Sequence, residues 1–187
     1  MSTVEKIFIE TGAIQKGHFT LSSGLHSDTY LQCALVLQYP DKAEQLSSLM
    51  AEKLKDQKVD TVIGPAMGGI TWAYQLGHAL GCRAIFSERV EDVMTLRRGF
   101  AVTPGERVLV AEDVSTTGGS AMEVVRMLQG MRAEVMGVAL IVDRTNGKLD
   151  FGVPYHALYN LQPQVWEPQT CPLCQQGVPV NKPGSRK

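Results

Sequence analysis

Apolar residues in this chain form short continuous runs that alternate with longer segments of helical periodicity. Two strand–helix–strand units stand out, one over residues 59–64, 68–80 and 83–87 and the other over residues 107–112, 119–131 and 134–143. Their strand segments are nearly unbroken in Val, Ile, Leu and Ala, which is typical of strands covered on both faces. The alternation predicts an α/β fold with a central, mainly parallel sheet flanked by helices.

The N-terminal part of the chain has a different pattern. Residues 3–10 predict a short helix, while residues 19–21 and 29–33 predict two strands joined by the polar link 22–28. We expect residues 1–40 to form a small hood lobe over the open end of the sheet.

The rest of the chain predicts four further features. A helix is expected from Asp41, as its N-cap, to about Lys55, with an apolar face of Leu46, Leu49, Met50 and Leu54. Residues 94–102 predict a projecting hairpin or loop, and residues 155–161 predict one more strand. Residues 163–187 are rich in Pro, Gln and Gly and are expected to be an extended tail. We interpret residues 1–187 as a single domain.

Composition and charge narrow the function classes. The chain has 187 residues, 44% of them hydrophobic and 20% charged, with a net charge of -1, so a globular domain with a sizeable core is expected. Without a basic excess, neither nucleic acid nor an acidic membrane surface is indicated as a partner. The apolar runs are too short for a membrane span, and the acidic N-terminus does not resemble a secretory signal. We therefore expect a cytoplasmic protein.

Four cysteines are present, and two of them form a CxxC pair. Cys33 and Cys82 lie in apolar surroundings and are expected to be buried thiols. Cys171 and Cys174 make half of a zinc site, and no second CxxC or suitable His pair stands near them in the sequence. A partly exposed tail with two thiols is the favoured interpretation, and zinc shared between subunits or a redox pair are the alternatives.

The segment with the clearest chemistry is residues 107–120. An apolar strand ends in the adjacent acids Glu112 and Asp113, a turn of small hydroxyl and glycine residues follows, and then a helix begins. This order places backbone N–H groups and the positive end of a helix beside carboxylates, which suits a phosphate joined to a sugar. The turn lacks the Gly-Lys-Ser/Thr sequence of a Walker loop.

The same segment carries a resemblance. Residues 108–120, VLVAEDVSTTGGS, look like the phosphoribosyl-pyrophosphate (PRPP) signature of the type I phosphoribosyltransferases, and the match is closest to the orotate phosphoribosyltransferases among them. Supporting pieces occur in the family's order, namely GHFTLSSG at 17–24, SDTY at 27–30, GPAMGGI at 64–70, MTLRRGF at 94–100 and VDR at 142–144. The resemblance covers about residues 8–159 and implies the type I phosphoribosyltransferase fold.

The resemblance implies a reaction and a set of site residues. Orotate and PRPP would give orotidine 5′-monophosphate and pyrophosphate with Mg²⁺, held mainly by PRPP and water, in a homodimer with shared active sites. The implied catalytic residues are Glu112, Asp113 and Arg89. The implied PRPP-binding residues are Glu112, Asp113, Val114, Ser115, Thr116, Thr117, Gly118, Gly119, Ser120, Arg89, Ala66, Met67 and Gly68. The implied orotate-binding residues are Thr116, Arg144 and Ser22.

The chain departs from the family pattern at its cations. Many orotate enzymes have Lys where Ser22 and Gly68 stand, and they carry Lys and His in a mobile loop that here, at residues 90–103, has neither. Only Arg89, Arg97 and Arg98 remain to meet the leaving pyrophosphate. We expect Arg89 to bind it, in its own site or in that of the neighbouring subunit, and Arg97 or Arg98 to close over it. His18 and His26 are expected to be structural or loosely substrate-facing.

Two other functions stay open at this point. One is a phosphoribosyltransferase for another base, for which a carboxylate-binding Arg144 would have no purpose. The other is a PRPP-sensing regulator without catalysis, since a fold alone does not fix an activity.

Overall fold

The computed structural model describes residues 1–21 and 23–183, and its elements follow the predicted alternation. The helices, in chain order, are α1 (Thr3–Glu10), α2 (Ala34–Leu37), α3 (Pro40–Lys53), α4 (Gly68–Leu80), α5 (Gly119–Gly130) and α6 (Pro172–Gln175). The strands are β1 (Ile14–Thr20), β2 (His26–Leu31), β3 (Thr61–Pro65), β4 (Arg83–Val90), β5 (Val93–Leu96), β6 (Arg107–Ser115), β7 (Glu134–Asp143), β8 (Tyr155–Asn160) and β9 (Val165–Trp166).

The chain divides into two units, and the larger one, Leu37–Leu161, holds a six-stranded sheet. Its strand order is β5-β4-β3-β6-β7-β8, with β5 antiparallel to β4 and every other pair parallel. The predicted mainly parallel α/β sheet is thus confirmed. The chain crosses from β3 to β4 in one direction and from β6 to β7 in the other, so the strand order reverses between β3 and β6.

Both faces of this sheet are covered, which explains why its strands are almost wholly apolar. Ile63 and Val110 are fully buried and belong to the core cluster that α5 completes with Val124, Val125 and Leu128. Their chain neighbours Val62 and Leu109 point to the opposite face and are also fully buried. On α4 the indole of Trp72 is buried and donates to the carbonyl of Ala139 on β7 at 3.1 Å.

Four predictions about the larger unit were wrong in detail. Tyr39, not Asp41, is the N-cap of α3, because Pro40 has a fixed φ and no N–H and so begins the helix. Leu49 is 38% exposed, although Leu46, Met50 and Leu54 are buried as predicted.

The hairpin lies earlier than residues 94–102. It consists of β4 and β5, and Glu91 and Asp92 form its turn with positive φ angles of 49° and 62°. Strand β6 also continues past Glu112 to Ser115, because its pairing with β7 extends to Ser115 and Asp143.

The smaller unit consists of residues Met1–Val36 and Gln162–Lys187. Helix α1 forms as predicted, and the antiparallel strands β1, β2 and β9 make a three-stranded sheet. The strands β1 and β2 are longer than expected because they pair with each other from Ile14 and Leu31 to Thr20 and His26.

The C-terminal segment is more ordered than an extended tail. Strand β9 pairs with β2, a 3₁₀ turn spans Pro168–Thr170, and α6 follows. Asn181 then bonds β1 through its backbone, donating to His18 at 2.7 Å and accepting from Thr20 at 2.8 Å. In the described residues, no helix has both the length and the apolar character needed to cross a membrane. The single-domain interpretation stays a prediction.

Candidate functional site

Two loops meet where the strand order of the large sheet reverses. The loop after β3 leads into α4 at Gly68, and the end of β6 leads through residues 112–118 into α5. Because β3 and β6 are parallel neighbours, both loops leave the same edge of the sheet. In open α/β sheets this edge, beyond the carboxyl ends of the strands at the reversal, is where ligands bind.

Glycines let the loop after β3 pack closely against the start of α4 and the end of β6. A Cβ atom on Gly64 would lie 2.1 Å from the carbonyl oxygen of Gly69, and one on Gly69 would lie 3.0 Å from that of Ala111. Between them, Ala66 and Met67 are joined by a cis peptide bond, and the Met67 side chain is exposed. The backbone of this loop therefore lies directly beside the end of β6.

Gly68 and Asp113 bring the two loops into contact. A Cβ atom at position 68 would lie 2.7 Å from each carboxylate oxygen of Asp113. In the sequence, Gly68 is a PRPP-binding residue implied by the resemblance and a position where many orotate enzymes carry Lys. The structure adds that the missing side chain leaves room for the Asp113 carboxylate.

The adjacent acids Glu112 and Asp113 are half-buried rather than solvated. Burial and the neighbouring Asp113 raise the pKa of Glu112 to about 7, against a smaller opposing effect of the hydrogen bond from the Ala121 N–H. Burial also raises the pKa of Asp113 above its usual value. A pair of carboxylates whose charge is disfavoured in this way is suited to bind hydroxyl donors or a cation.

The turn after the acids presents donors to the same edge. Ser115 is buried and its Oγ has no hydrogen-bond partner among the described residues, while Thr116 and Thr117 are exposed. Gly118 has a φ of 79° and a Cβ there would lie 2.9 Å from the Phe151 ring, so glycine is required. It caps α5 without a side-chain bond, and the positive end of that helix favours an anion.

Arg144 is positioned beside this turn by the pairing of β6 with β7. Its backbone N–H donates to the Ser115 carbonyl at 2.9 Å. Its side chain is half-buried, the Nε atom is buried without a partner in the described part of the chain, and burial lowers the pKa of the guanidinium. A buried guanidinium of this kind is suited to a carboxylate ligand, because its planar fork can make two parallel hydrogen bonds.

Asp143 is a residue whose part the sequence interpretation missed. It is fully buried and accepts from the backbone N–H groups of Thr145 at 2.6 Å and Gly147 at 2.8 Å, and from the Tyr155 hydroxyl at 3.2 Å. Burial alone would raise the pKa of Asp143, but these hydrogen bonds outweigh it and lower the pKa. The carboxylate thus fixes the turn that follows Arg144. In the sequence, the only indication of this role is that an acid directly precedes Arg144 at a strand end.

The three arginines near the hairpin each have an acidic partner in the same chain. Arg89 pairs with Glu123 of α5 at 2.7 Å, and Arg98 pairs with Glu88 while lying over the Phe86 ring. Arg97 is 3.8 Å from Glu88. All three are exposed at the surface of the larger unit, and a pyrophosphate would have to compete with these pairs. The predicted orotate ligand Ser22 lies outside the described residues.

His18 and His26 are not free to face a substrate. Both are buried in the smaller unit and lie against Cys171 and Cys174. No suitable His pair stands near the CxxC in the sequence, but pairing of β1 with β2 and docking of the tail place His18 and His26 beside it in the fold.

Comparison with known proteins gives consistent matches. A family described as phosphoribosyl transferase domain matches residues 36–151. An orotate phosphoribosyltransferase of Caldanaerobacter subterraneus subsp. tengcongensis is 54% identical over 184 residues, covering 98% of this chain and 97% of that one. One from Caldicellulosiruptor bescii is 53% identical and covers 97% and 96%. The crystal structure of orotate phosphoribosyltransferase from Aeropyrum pernix is 26% identical, with a TM-score of 0.71 and coverage of 86% of this chain and 94% of that one.

Proposed function

The chain belongs to the phosphoribosyltransferase family, in its orotate phosphoribosyltransferase branch, and we propose how its own residues perform the transfer. Enzymes of this branch move the phosphoribosyl group of PRPP to orotate, giving orotidine 5′-monophosphate and pyrophosphate in pyrimidine biosynthesis. Bonding changes at C1′, where the bond to pyrophosphate breaks and the bond to N1 of orotate forms. Catalysis then depends on holding the two reactants in line and stabilising the departing charge.

The contact of Gly68 with Asp113 carries the proposal for PRPP. It puts the backbone of residues 66–68 beside the acids, so one PRPP molecule can meet both loops. Glu112 and Asp113 accept from the ribose 2′- and 3′-hydroxyls, and residues 114–120 hold the 5-phosphate through backbone N–H groups and hydroxyls. The backbone of Ala66, Met67 and Gly68 binds the pyrophosphate.

Orotate binds next to this sugar. Arg144 takes its carboxylate with two parallel hydrogen bonds, and Thr116 contacts the ring. The position of the Arg144 backbone on Ser115 supports this role, because it puts the base-binding residue one hydrogen bond from the phosphate-binding turn. Ser22 is proposed as a further orotate ligand from the resemblance alone.

The site also fits the Mg²⁺ that such enzymes use. Glu112 and Asp113 offer oxygen atoms, the ligands that Mg²⁺ prefers, although PRPP oxygens and water supply most of its shell. When bound, Mg²⁺ would supply positive charge that stabilises the leaving pyrophosphate. Glu112 and Asp113 orient the ribose, and Arg89 supplies positive charge from the protein.

We further propose a homodimer in which Arg89 of one subunit reaches the site of the other. Light scattering on the protein as it elutes from a size-exclusion column measures the mass of the assembly and so tests for the dimer. Mixing Arg89→Ala chains with Asp113→Asn chains then tests for shared sites, because half of the random dimers would hold one native site and restore about a quarter of the activity. A dimer with no restoration would assign Arg89 to its own subunit.

One assay tests the function itself. Loss of orotate absorbance is followed after PRPP and Mg²⁺ are added, with uracil, hypoxanthine and adenine as control bases. We expect turnover with orotate alone. Turnover of hypoxanthine without orotate would overturn the base assignment, and PRPP binding without turnover of any base would overturn the catalytic role.

A further inference from the structure

Four potential metal ligands from three segments converge in the smaller unit, and none of them is a residue assigned above to the transfer. They are His18 on β1, His26 on β2, and Cys171 and Cys174 at the start of and within α6. One ligand atom from each lies within 4.8 Å of all the others. Two imidazoles and two thiols in one cluster form a recognised ligand set for a structural metal.

Three nitrogen–sulfur distances in the cluster match the edges of a tetrahedron around zinc. With Zn–S of about 2.3 Å and Zn–N of about 2.0–2.1 Å, ligand atoms are expected to lie about 3.3–3.8 Å from one another. The Nε2 of His18 is 3.4 Å from Cys171 Sγ and 3.7 Å from Cys174 Sγ. The Nδ1 of His26 is 3.3 Å from Cys174 Sγ and 2.8 Å from His18 Nε2. Small outward shifts of the two rings would complete the shell.

A hydrogen bond fixes which nitrogen of His18 faces the cluster. Its Nδ1 is 2.8 Å from the carbonyl oxygen of Val178, and since a carbonyl only accepts, Nδ1 must carry the proton. In the neutral ring the lone pair then lies on Nε2, the atom that faces the two cysteines and His26. Metal-binding histidines are oriented by an outer hydrogen bond of this kind.

Without a cation, the hydrogen-bonding groups of this cluster cannot all be paired. The single lone pair of His18 Nε2 has three neighbours within 3.7 Å, and it can accept from one of them at a time. His18, His26 and Cys171 are buried, so water is largely excluded from their side. One cation would bond all four atoms at once.

We propose that His18, His26, Cys171 and Cys174 bind one structural Zn²⁺ that fastens the C-terminal segment to the β1–β2 hairpin. Sulfur ligands exclude Mg²⁺ and Ca²⁺, which prefer oxygen, and two thiolates with two imidazoles in a tetrahedron favour zinc. Each thiol loses its proton to solvent as it binds, so two thiolates balance the charge of the ion. With four protein ligands no position remains for a substrate, so the role is structural.

The consequence is a cross-link between residues more than 140 positions apart. The tail is also held to the hairpin by the short β9–β2 pairing and by hydrogen bonds at Gln164, Val178 and Asn181. A metal here would stabilise the smaller unit by closing that long loop. The exposed edge at Cys174 gives the ion a way in.

The experiment measures metal in the full chain purified in reductant without chelator. Elemental analysis should find about one zinc per chain. A thiol-blocking mercurial should release that zinc in step with its reaction with Cys171 and Cys174. Cys174→Ser should lose most of the zinc, whereas Cys82→Ser, which removes a thiol outside the cluster, should keep it. Removal of zinc should lower the unfolding temperature by about 5 °C or more.

A second measurement does not depend on any variant folding. Wild-type chain stripped of metal is titrated with Co²⁺, which should give the intense visible bands and thiolate charge-transfer absorption of a tetrahedral sulfur–nitrogen site at one equivalent. Absence of these bands would overturn the site, as would full zinc retention in Cys174→Ser. Iron in place of zinc would overturn the choice of metal, and a metal-free chain with a Cys171–Cys174 disulfide would establish the redox alternative instead. None of these results bears on orotate turnover.

Discussion

The carboxylate of Asp113 occupies the space that a side chain at position 68 would need. Both of its oxygens lie 2.7 Å from where a Cβ atom on Gly68 would be. The first loop therefore supplies backbone alone at this point, and Asp113, which we propose orients the ribose, lies directly against it. Gly68→Ala should displace Asp113 and reduce kcat/KM for PRPP about tenfold, or about 1.4 kcal/mol.

Steady-state rates with varied PRPP check this expectation. Gly130→Ala is the matched control, since nothing lies within 4 Å of a Cβ there and its rates should not change. Wild-type kinetics in Gly68→Ala would show that Asp113 tolerates displacement.

Asp113→Asn should separate activity from stability. Loss of the charge weakens the acceptors for the ribose hydroxyls, and we expect kcat/KM to fall about 100-fold, or about 2.7 kcal/mol. The fold should be as stable or slightly more so, because burial disfavours the charge that is removed. Turnover is compared with the melting temperature, and Asp41→Asn on the exposed side of α3 serves as control. A parallel loss of melting temperature would make Asp113 a structural residue.

The raised pKa of Glu112 predicts a pH dependence of stability. Its pKa rises from 4.5 to about 7 on folding, so between these values the folded state binds more protons than the unfolded state. The free energy of unfolding therefore decreases as pH rises from about 4.5 to 7, and the loss is complete above 7. Melting temperatures of the ligand-free protein from pH 5 to 8 should fall more in wild type than in Glu112→Gln. Identical slopes in the two proteins would contradict the assignment.

Arg144→Lys tests the binding of the orotate carboxylate. A lysine keeps the charge but not the planar fork, so we expect the KM for orotate to rise about tenfold or more with little change in the KM for PRPP. Initial rates with each substrate varied provide the measurement. Arg126→Lys, an exposed arginine on α5, should behave as wild type. An equal rise in both KM values would indicate a general disturbance of the turn.

The arginines of the hairpin region should differ in their effect on pyrophosphate. Arg89→Ala is expected to raise the KM for pyrophosphate about tenfold in the reverse reaction, because it removes a cation from the leaving group. Arg97→Ala and Arg98→Ala should have smaller effects. Stability should hardly change, since the pair of Arg89 with Glu123 is exposed. Unchanged kinetics in all three variants would show that backbone donors and the metal, and not these arginines, stabilise the leaving pyrophosphate.

Much of the catalytic unit followed from local pattern. Unbroken apolar strands and amphipathic helices fix the order of β3, α4, β4, β6, α5 and β7, because a parallel sheet buries both of its faces. The acids and the small residues of 112–120 form one continuous segment, so their neighbourhood did not depend on distant contacts. Strand ends were less well predicted, because pairing with a neighbour decides where a strand such as β6 stops.

Tertiary structure alone decided which distant residues share a site. Gly68 meets Asp113, and His18 meets Cys171, only because strand pairing brings together segments that are 45 or more positions apart. The sequence contained the two histidines and the two cysteines, but their spacing matched no local metal motif. When ligands come from a hairpin and from a docked tail far along the chain, their spacing in the sequence forms no recognisable motif.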